Sequence, residues 1–155
     1  MKRRLRAALV GCGKVGRTHA RALQTLPRST LVAVCDPMAD RAEEFGRDFG
    51  AHPYTDLATM LAAESPDMVS ICSPHPLHAA AITAAAERGV HALVEKPLAA
   101  SLSDCDLAID ACRRAGVKLG VVSQRRFYPP VVRMRQAIEA GKIKLFCKAI
   151  GEEDP

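Results

Sequence analysis

Short apolar runs alternate along this chain with longer, alanine-rich segments, and no other feature narrows its fold so far. LRAALV (5–10), LVAVC (31–35), MVSIC (68–72), VHALV (90–94) and VKLGVV (117–122) have strand length and are apolar at consecutive positions. Such strands belong in a parallel sheet covered on both sides, because a sheet with one wet face alternates apolar and polar residues. Between the runs lie segments long enough for crossover helices. These are 14–25, Ala39–Phe49, 56–64 behind a Thr55 cap, 77–89 closed by Gly89, and 104–116 between a Ser103 cap and Gly116. His52-Pro53-Tyr54 reads as a brief strand, and Pro129-Pro130 opens a last helix that reaches Ala140-Gly141. Repeated strand–helix–strand units predict an α/β fold with a doubly wound parallel sheet, Rossmann-type, whose ligand crevice lies at the carboxyl ends of the strands.

Composition sets the limits. With 155 residues, 48% of them apolar, the chain can bury one ordinary core. It has no Trp, so alanine-rich helices must pack close against what they cover. The net charge is +5, but the basic residues are scattered (Lys2 to Arg6, Arg113-Arg114, Arg125-Arg126, Arg133, Arg135) without interleaved aromatics on which bases would stack. That pattern argues against nucleic acid and suits an anionic cofactor. The 6 cysteines form no CxxC pair and fall mostly inside strands and helices, as reduced thiols of a cytoplasmic protein do. The apolar stretch after MKRRLR is too short for a signal peptide, and no run approaches membrane-spanning length. The chain reads as soluble, with no membrane partner.

The first strand and first helix are joined by ALVGCGKVG, which places Gly11, Gly13 and Gly16 at GxGxxG spacing. In that context Gly11 permits a tight turn, Gly13 lets a pyrophosphate approach the backbone, and Gly16 lets helix and strand pack closely. Asp36 ends the second strand about 20 residues beyond Gly16, where a carboxylate accepts hydrogen bonds from an adenosine ribose. Asp36-Pro37 is also a plain turn sequence. NAD is favoured over NADP because a proline, not a cation, follows Asp36; Arg41, one helical turn on, is the residue that would reach a 2′-phosphate.

GCGKVGRTH, CDP, SPHPLH, EKP and QRRFYPP follow one another in an order that resembles the Gfo/Idh/MocA family of sugar and inositol dehydrogenases, from about Leu5 to Gly141. EKP (Glu95-Lys96-Pro97) is the most specific of these. The resemblance implies that the cofactor is held by Gly11, Cys12, Gly13, Lys14, Val15, Gly16 and Asp36. It further implies contacts from Ser73, Pro74, His75 and His78 at the mouth of the crevice, from Glu95 and Lys96 beside the nicotinamide, and from Gln124 and Arg125. It implies that Lys96 is the catalytic residue, hydrogen-bonded to a substrate hydroxyl, and that the Lys96–Pro97 bond is cis. In an extended segment Glu95 and Lys96 point to opposite sides, so Glu95 is expected to brace the loop rather than neutralise Lys96. His19 is expected to pack or cap. His75 and His78 have HxxH spacing, but a catalytic zinc wants a third ligand and none stands nearby, so no metal is expected.

The domains expected are a dinucleotide-binding domain over 1–128 and a linking helix with a divergent tail over 129–155. Relatives continue into a second α+β domain that supplies substrate contacts. The likeness fades after Gly141, so that domain is expected to be missing or truncated here, leaving apolar residues Val131, Val132, Met134, Ile138 and the KLFC segment uncovered. The function implied is that of an NAD(P)-dependent oxidoreductase domain moving hydride between nicotinamide and a sugar-, polyol- or inositol-like hydroxyl. The alternative is a non-catalytic dinucleotide-binding module or regulator acting with a partner chain or as a homo-oligomer.

Overall fold

Consecutive apolar positions in the strands divide between the two faces of one sheet. The computed structural model describes residues 3–142, in two compact units with the division between Val122 and Ser123. In the first unit β1 (Leu5–Val10), β2 (Ser29–Cys35), β3 (His52–Tyr54), β4 (Met68–Ile71), β5 (His91–Val94) and β6 (Leu119–Val121) form a parallel sheet in the order β3-β2-β1-β4-β5-β6. The helices are α1 (Lys14–Thr25), α2 (Ala39–Phe49), α3 (Leu57–Glu64), α4 (His78–Glu87) and α5 (Leu102–Ala115). Ala7 and Leu9 of β1 join Ala20 and Leu23 of α1 and Phe45 and Phe49 of α2 in one core. Ala8 and Val10 join Met60 of α3, Ile82 of α4 and Ala108 of α5 in the other. Period-two side chains buried on both faces explain why the strands do not alternate.

Small residues set the helix spacing, as the missing Trp implied. Ala81, Ala85 and Ala86 of α4 and Ala108 and Ala111 of α5 are buried in the same core. Across α1 and α2 the Arg17 guanidinium lies 4.7 Å from the Phe45 ring centre and pairs with Glu44 at 2.6 Å and Asp48 at 2.5 Å. The second unit holds α6 (Pro129–Glu139), opened by its prolines as expected.

Several boundaries differ from the sequence reading. Asp56, not Thr55, caps α3: its carboxylate accepts from the Thr59 amide at 2.7 Å. Ser101, not Ser103, caps α5 by accepting from the Asp104 amide at 3.1 Å, so the helix starts two residues early at Leu102. β2 begins at Ser29 because β1 pairs back to Leu5. β6 is shorter than expected, since the Val117 amide is taken by Cys112 O to close α5. His75–Leu77 forms a 3-10 turn ahead of α4. On α6 Met134 is exposed, whereas Val131, Val132 and Ile138 are partly covered, against expectation. The KLFC segment lies outside the described residues.

Glu64 gathers a polar knot at the end of α3, where it accepts from Tyr54 Oη at 2.9 Å, His52 Nδ1 at 2.6 Å and the Arg6 guanidinium at 3.1 Å. Burial opposes its charge, but the His52 and Tyr54 hydrogen bonds and nearby Arg6 outweigh that and hold its carboxyl below the usual 4.5. A carboxyl depressed in the folded state stabilises fully above its unfolded pKa, and that contribution is lost as pH falls through the folded value. Unfolding free energy is therefore expected to drop on acidification below about 4.5. Glu64→Gln should flatten the drop; urea melts of both proteins across that range check this, and parallel curves would show that Glu64 contributes none of it.

Candidate functional site

The carboxyl end of β1 turns through Gly11 with φ +97°. A β-carbon there would sit 2.6 Å from Cys72 C and 2.7 Å from Ser73 N, so the loop lies directly on the backbone leaving β4. At Gly16, inside α1, a β-carbon would fall 2.1 Å from Gly11 O. Packing alone demands both glycines. Gly13 is different. Its φ of −93° suits any residue, and an added β-carbon would meet nothing within 4 Å. Gly13 is the N-cap of α1, no side chain caps that end, and the first turn carries no acidic residue. The helix thus presents unneutralised N–H groups at an open rim, which is what an anionic group requires.

The side chains at this end divide into rim and core. Lys14 and Val15 are exposed at the start of α1. Cys12 is buried in the core, and burial, then the charges of Asp36 and Cys35, push its thiol up to about 12. Burial likewise pushes Cys72 up to about 12, so neither thiol supplies a thiolate beside the loop. What Cys12 contributes is its amide, which donates to Asp36 Oδ2 at 2.9 Å. Asp36 Oδ1 accepts from the Met38 amide at 3.0 Å, making the turn that the Asp-Pro sequence suggested. The buried carboxylate therefore ties the end of β2 to the glycine loop and still has lone pairs to offer a ligand. The Asx turn was legible in the sequence; the bond to Cys12 was not, because only the sheet order makes those residues neighbours.

Beyond β4, Pro74 and His75 are exposed and Ser73 is half-buried with its Oγ enclosed and unpartnered among the described residues. His78, expected at the crevice mouth, is instead 1% exposed beneath the loop, its ring nitrogens 2.8 Å from Ser73 O and 2.9 Å from Pro97 O. A histidine at the first position of α4 turns inward because α4 packs on the sheet there. Beyond β5 the Lys96–Pro97 peptide is cis, and Glu95 and Lys96 diverge. Lys96 is exposed and makes no ion pair among the described residues. Glu95 accepts from His19 Nε2 at 3.0 Å and from the Lys96 amide at 3.2 Å, so it braces the loop. His19, expected to pack or cap, is largely buried with its other nitrogen 2.8 Å from Ser70 Oγ. Gln124 and Arg125 are exposed on a 3-10 turn of the second unit.

The glycine cradle, Asp36 and the EKP turn all stand at strand carboxyl ends, and β1 and β4, whose connections leave in opposite directions, flank the crevice. Residues 5–123 match the family model of Gfo/Idh/MocA, the oxidoreductase family with an NAD-binding Rossmann fold. The chain belongs to this family. It is 37% identical to a D-apiose dehydrogenase of Paraburkholderia graminis over 91% of this chain and 38% of the relative. It is 36% identical to the NAD(+) scyllo-inositol 2-dehydrogenase of Bacillus subtilis over 92% of this chain and 42% of the relative. Among solved structures, the WlbA dehydrogenase of Bordetella pertussis in complex with NADH and UDP-GlcNAcA superposes with a TM-score of 0.87 at 34% identity, covering 90% of this chain and 43% of that one. The chain thus spans about two fifths of these Gfo/Idh/MocA relatives, corresponding to their NAD-binding domain. No helix among the described residues is long and apolar enough to cross a membrane.

A cavity of about 720 Å³ lies at the opposite, amino-terminal edge of the sheet, among Arg3, Arg4, Arg28, Asp67 and His91. No family motif reaches it, and the crevice rule of wound sheets favours the other end.

Two substitutions separate cradle from scaffold. Gly13→Ala should lower the thermal midpoint only slightly, by the loss of an N-cap glycine, and weaken NAD binding at least about tenfold, because the methyl occupies space that a ligand uses. Gly16→Ala should lower the midpoint before any cofactor is added. Differential scanning with and without NAD checks both. Asp36→Asn keeps one acceptor oxygen for two amide donors, so it is expected to cost about 1–3 kcal/mol of stability without cofactor, measured by urea unfolding.

Proposed function

We propose that this chain is the cofactor-binding part of an NAD-preferring dehydrogenase that moves hydride between nicotinamide and a hydroxyl of a sugar, polyol or inositol. The open space at Gly13 on the bare end of α1 carries this reading, since it leaves the first-turn N–H groups free for an anionic ligand. When bound, NAD supplies the hydride acceptor. The first-turn amides of α1 would hold its pyrophosphate and the lone pairs of Asp36 its adenosine ribose, where a 2′-phosphate would meet the carboxylate. Lys96, exposed beyond β5, would hold the substrate hydroxyl and take its proton as hydride leaves. The names of the relatives, D-apiose and scyllo-inositol dehydrogenases, support this substrate class. Ser73, Pro74 and His75 are proposed to complete the nicotinamide side, with residues 1–128 as the working domain. A cytoplasmic setting is part of the proposal and suits reduced thiols.

Thermal unfolding with NAD(H), with NADP(H) and with neither tests the reading. Ligand at about 100 times its dissociation constant stabilises by about 2.7 kcal/mol. That gain is expected with NAD(H) and not with NADP(H); no gain with either would overturn the proposal. Lys96→Met should keep NAD affinity while lowering hydride transfer about 10²–10⁴-fold with polyols and aldoses, followed by NADH absorbance. Equal, measurable rates from both proteins would remove Lys96 from the chemistry.

A further inference from the structure

Lys96 itself touches little, but the residues on either side of it are held. Glu95 is the first residue past β5, and its amide still donates to Ile71 O of β4 at 2.9 Å. Its side chain is 15% exposed and meets His19, 14% exposed, across 3.0 Å. A carboxylate only accepts, so His19 Nε2 carries the proton of that contact, and Nδ1 is left facing the Ser70 hydroxyl at 2.8 Å. The second Glu95 oxygen turns back to the Lys96 amide at 3.2 Å. On the far side, Pro97 O lies 2.9 Å from His78 Nδ1, while His78 Nε2 stands 2.8 Å from Ser73 O. The two histidines come from different helices, α1 and α4, and are otherwise unused by the proposed chemistry.

We propose that His19 and His78 are positioning residues for Lys96, His19 by fixing Glu95 before it and His78 by fixing Pro97 after it. The inference rests on reading Lys96 as the reacting residue. A lysine ammonium rides on a flexible four-carbon stem, so only its backbone origin can be set by the fold. Displacement of about 1 Å at a reacting group costs about 10²-fold in rate, which makes a two-sided anchor consequential. The anchor also has a direction. His19 stands on the helix whose first turn forms the cradle, and His78 on the helix that follows the β4 loop, so Lys96 is referenced to both walls of the crevice.

Amide hydrogen exchange on the 155-residue chain reads the clamp directly, because the Lys96 amide is itself a donor to Glu95. His19→Ala and His78→Ala are each expected to speed Lys96 exchange about five- to tenfold, the effect of losing one net hydrogen bond. Exchange at Leu9 in the sheet centre should stay as it was, and His19→Gln and His78→Asn, which keep a donor, should restore most of the protection. Uniform acceleration across the sheet, or an unchanged Lys96 in folded variants, would overturn the clamp. Should either alanine variant fail to fold, ¹H–¹⁵N spectra of the wild-type rings decide. A His19 proton fixed on Nε2 and a slowly exchanging His78 proton on Nδ1, facing Pro97 O, are expected; a His78 proton on Nε2 alone, facing Ser73 O, or freely exchanging rings would overturn the inference. Wild-type titration with NAD is run separately; its failure strikes the functional reading and leaves these outcomes standing.

Discussion

The contact on which this domain turns is one of backbone on backbone. Gly16 of α1 lies so near Gly11 O that no β-carbon fits between them, and Gly11 lies as closely on the backbone of Cys72 and Ser73. Three elements, β1, α1 and the exit of β4, are thereby fused at a point with no side chains. Everything in the candidate site hangs from that point. The start of α1 is aimed across the strand ends, Cys12 is placed to donate to Asp36, and His19 is carried to Glu95. Dispersion between well-packed atoms is individually weak, but a methyl group forced into such a junction has nowhere to go, so the constraint is steric and absolute.

Much of this was legible in the sequence because local rules and the global fold agree. The apolar runs named the strands, the prolines opened α6, and the glycine spacing located the cradle. Errors came where two local candidates competed. Thr55 and Asp56 both make caps, as do Ser101 and Ser103, and the winner is the one whose oxygen reaches the third amide of the helix as packing positions it. His78 was misread for a different cause. His19 and Glu95 are 76 residues apart and His78 and Pro97 19, and no periodicity reports a bond between a helix and the loop that ends a later strand. Such contacts exist only once the strand order is known.

Asp36 shows why the two readings of a residue need not compete. As a turn residue it binds the Met38 amide, and as a tie it binds the Cys12 amide. A carboxylate has room for about four hydrogen bonds, so both structural duties leave capacity for a ribose. The residue that would discriminate between NAD and NADP is then also the residue that fixes the loop. Exchange of the aspartate for a neutral or basic side chain alters the cradle as well as the charge.

The site as a whole is a contrast between parts fixed in advance and one part left free. The cradle is backbone, Asp36 is buried, Glu95 accepts hydrogen bonds from His19 and the Lys96 amide, and the His78 ring stands between the carbonyl oxygens of Ser73 and Pro97. A ligand that binds such groups loses little free energy to ordering them. Lys96 is the exception, a long exposed side chain on an anchored base. Its backbone origin is set by the fold while its ammonium stays free to move, which suits the role proposed for it.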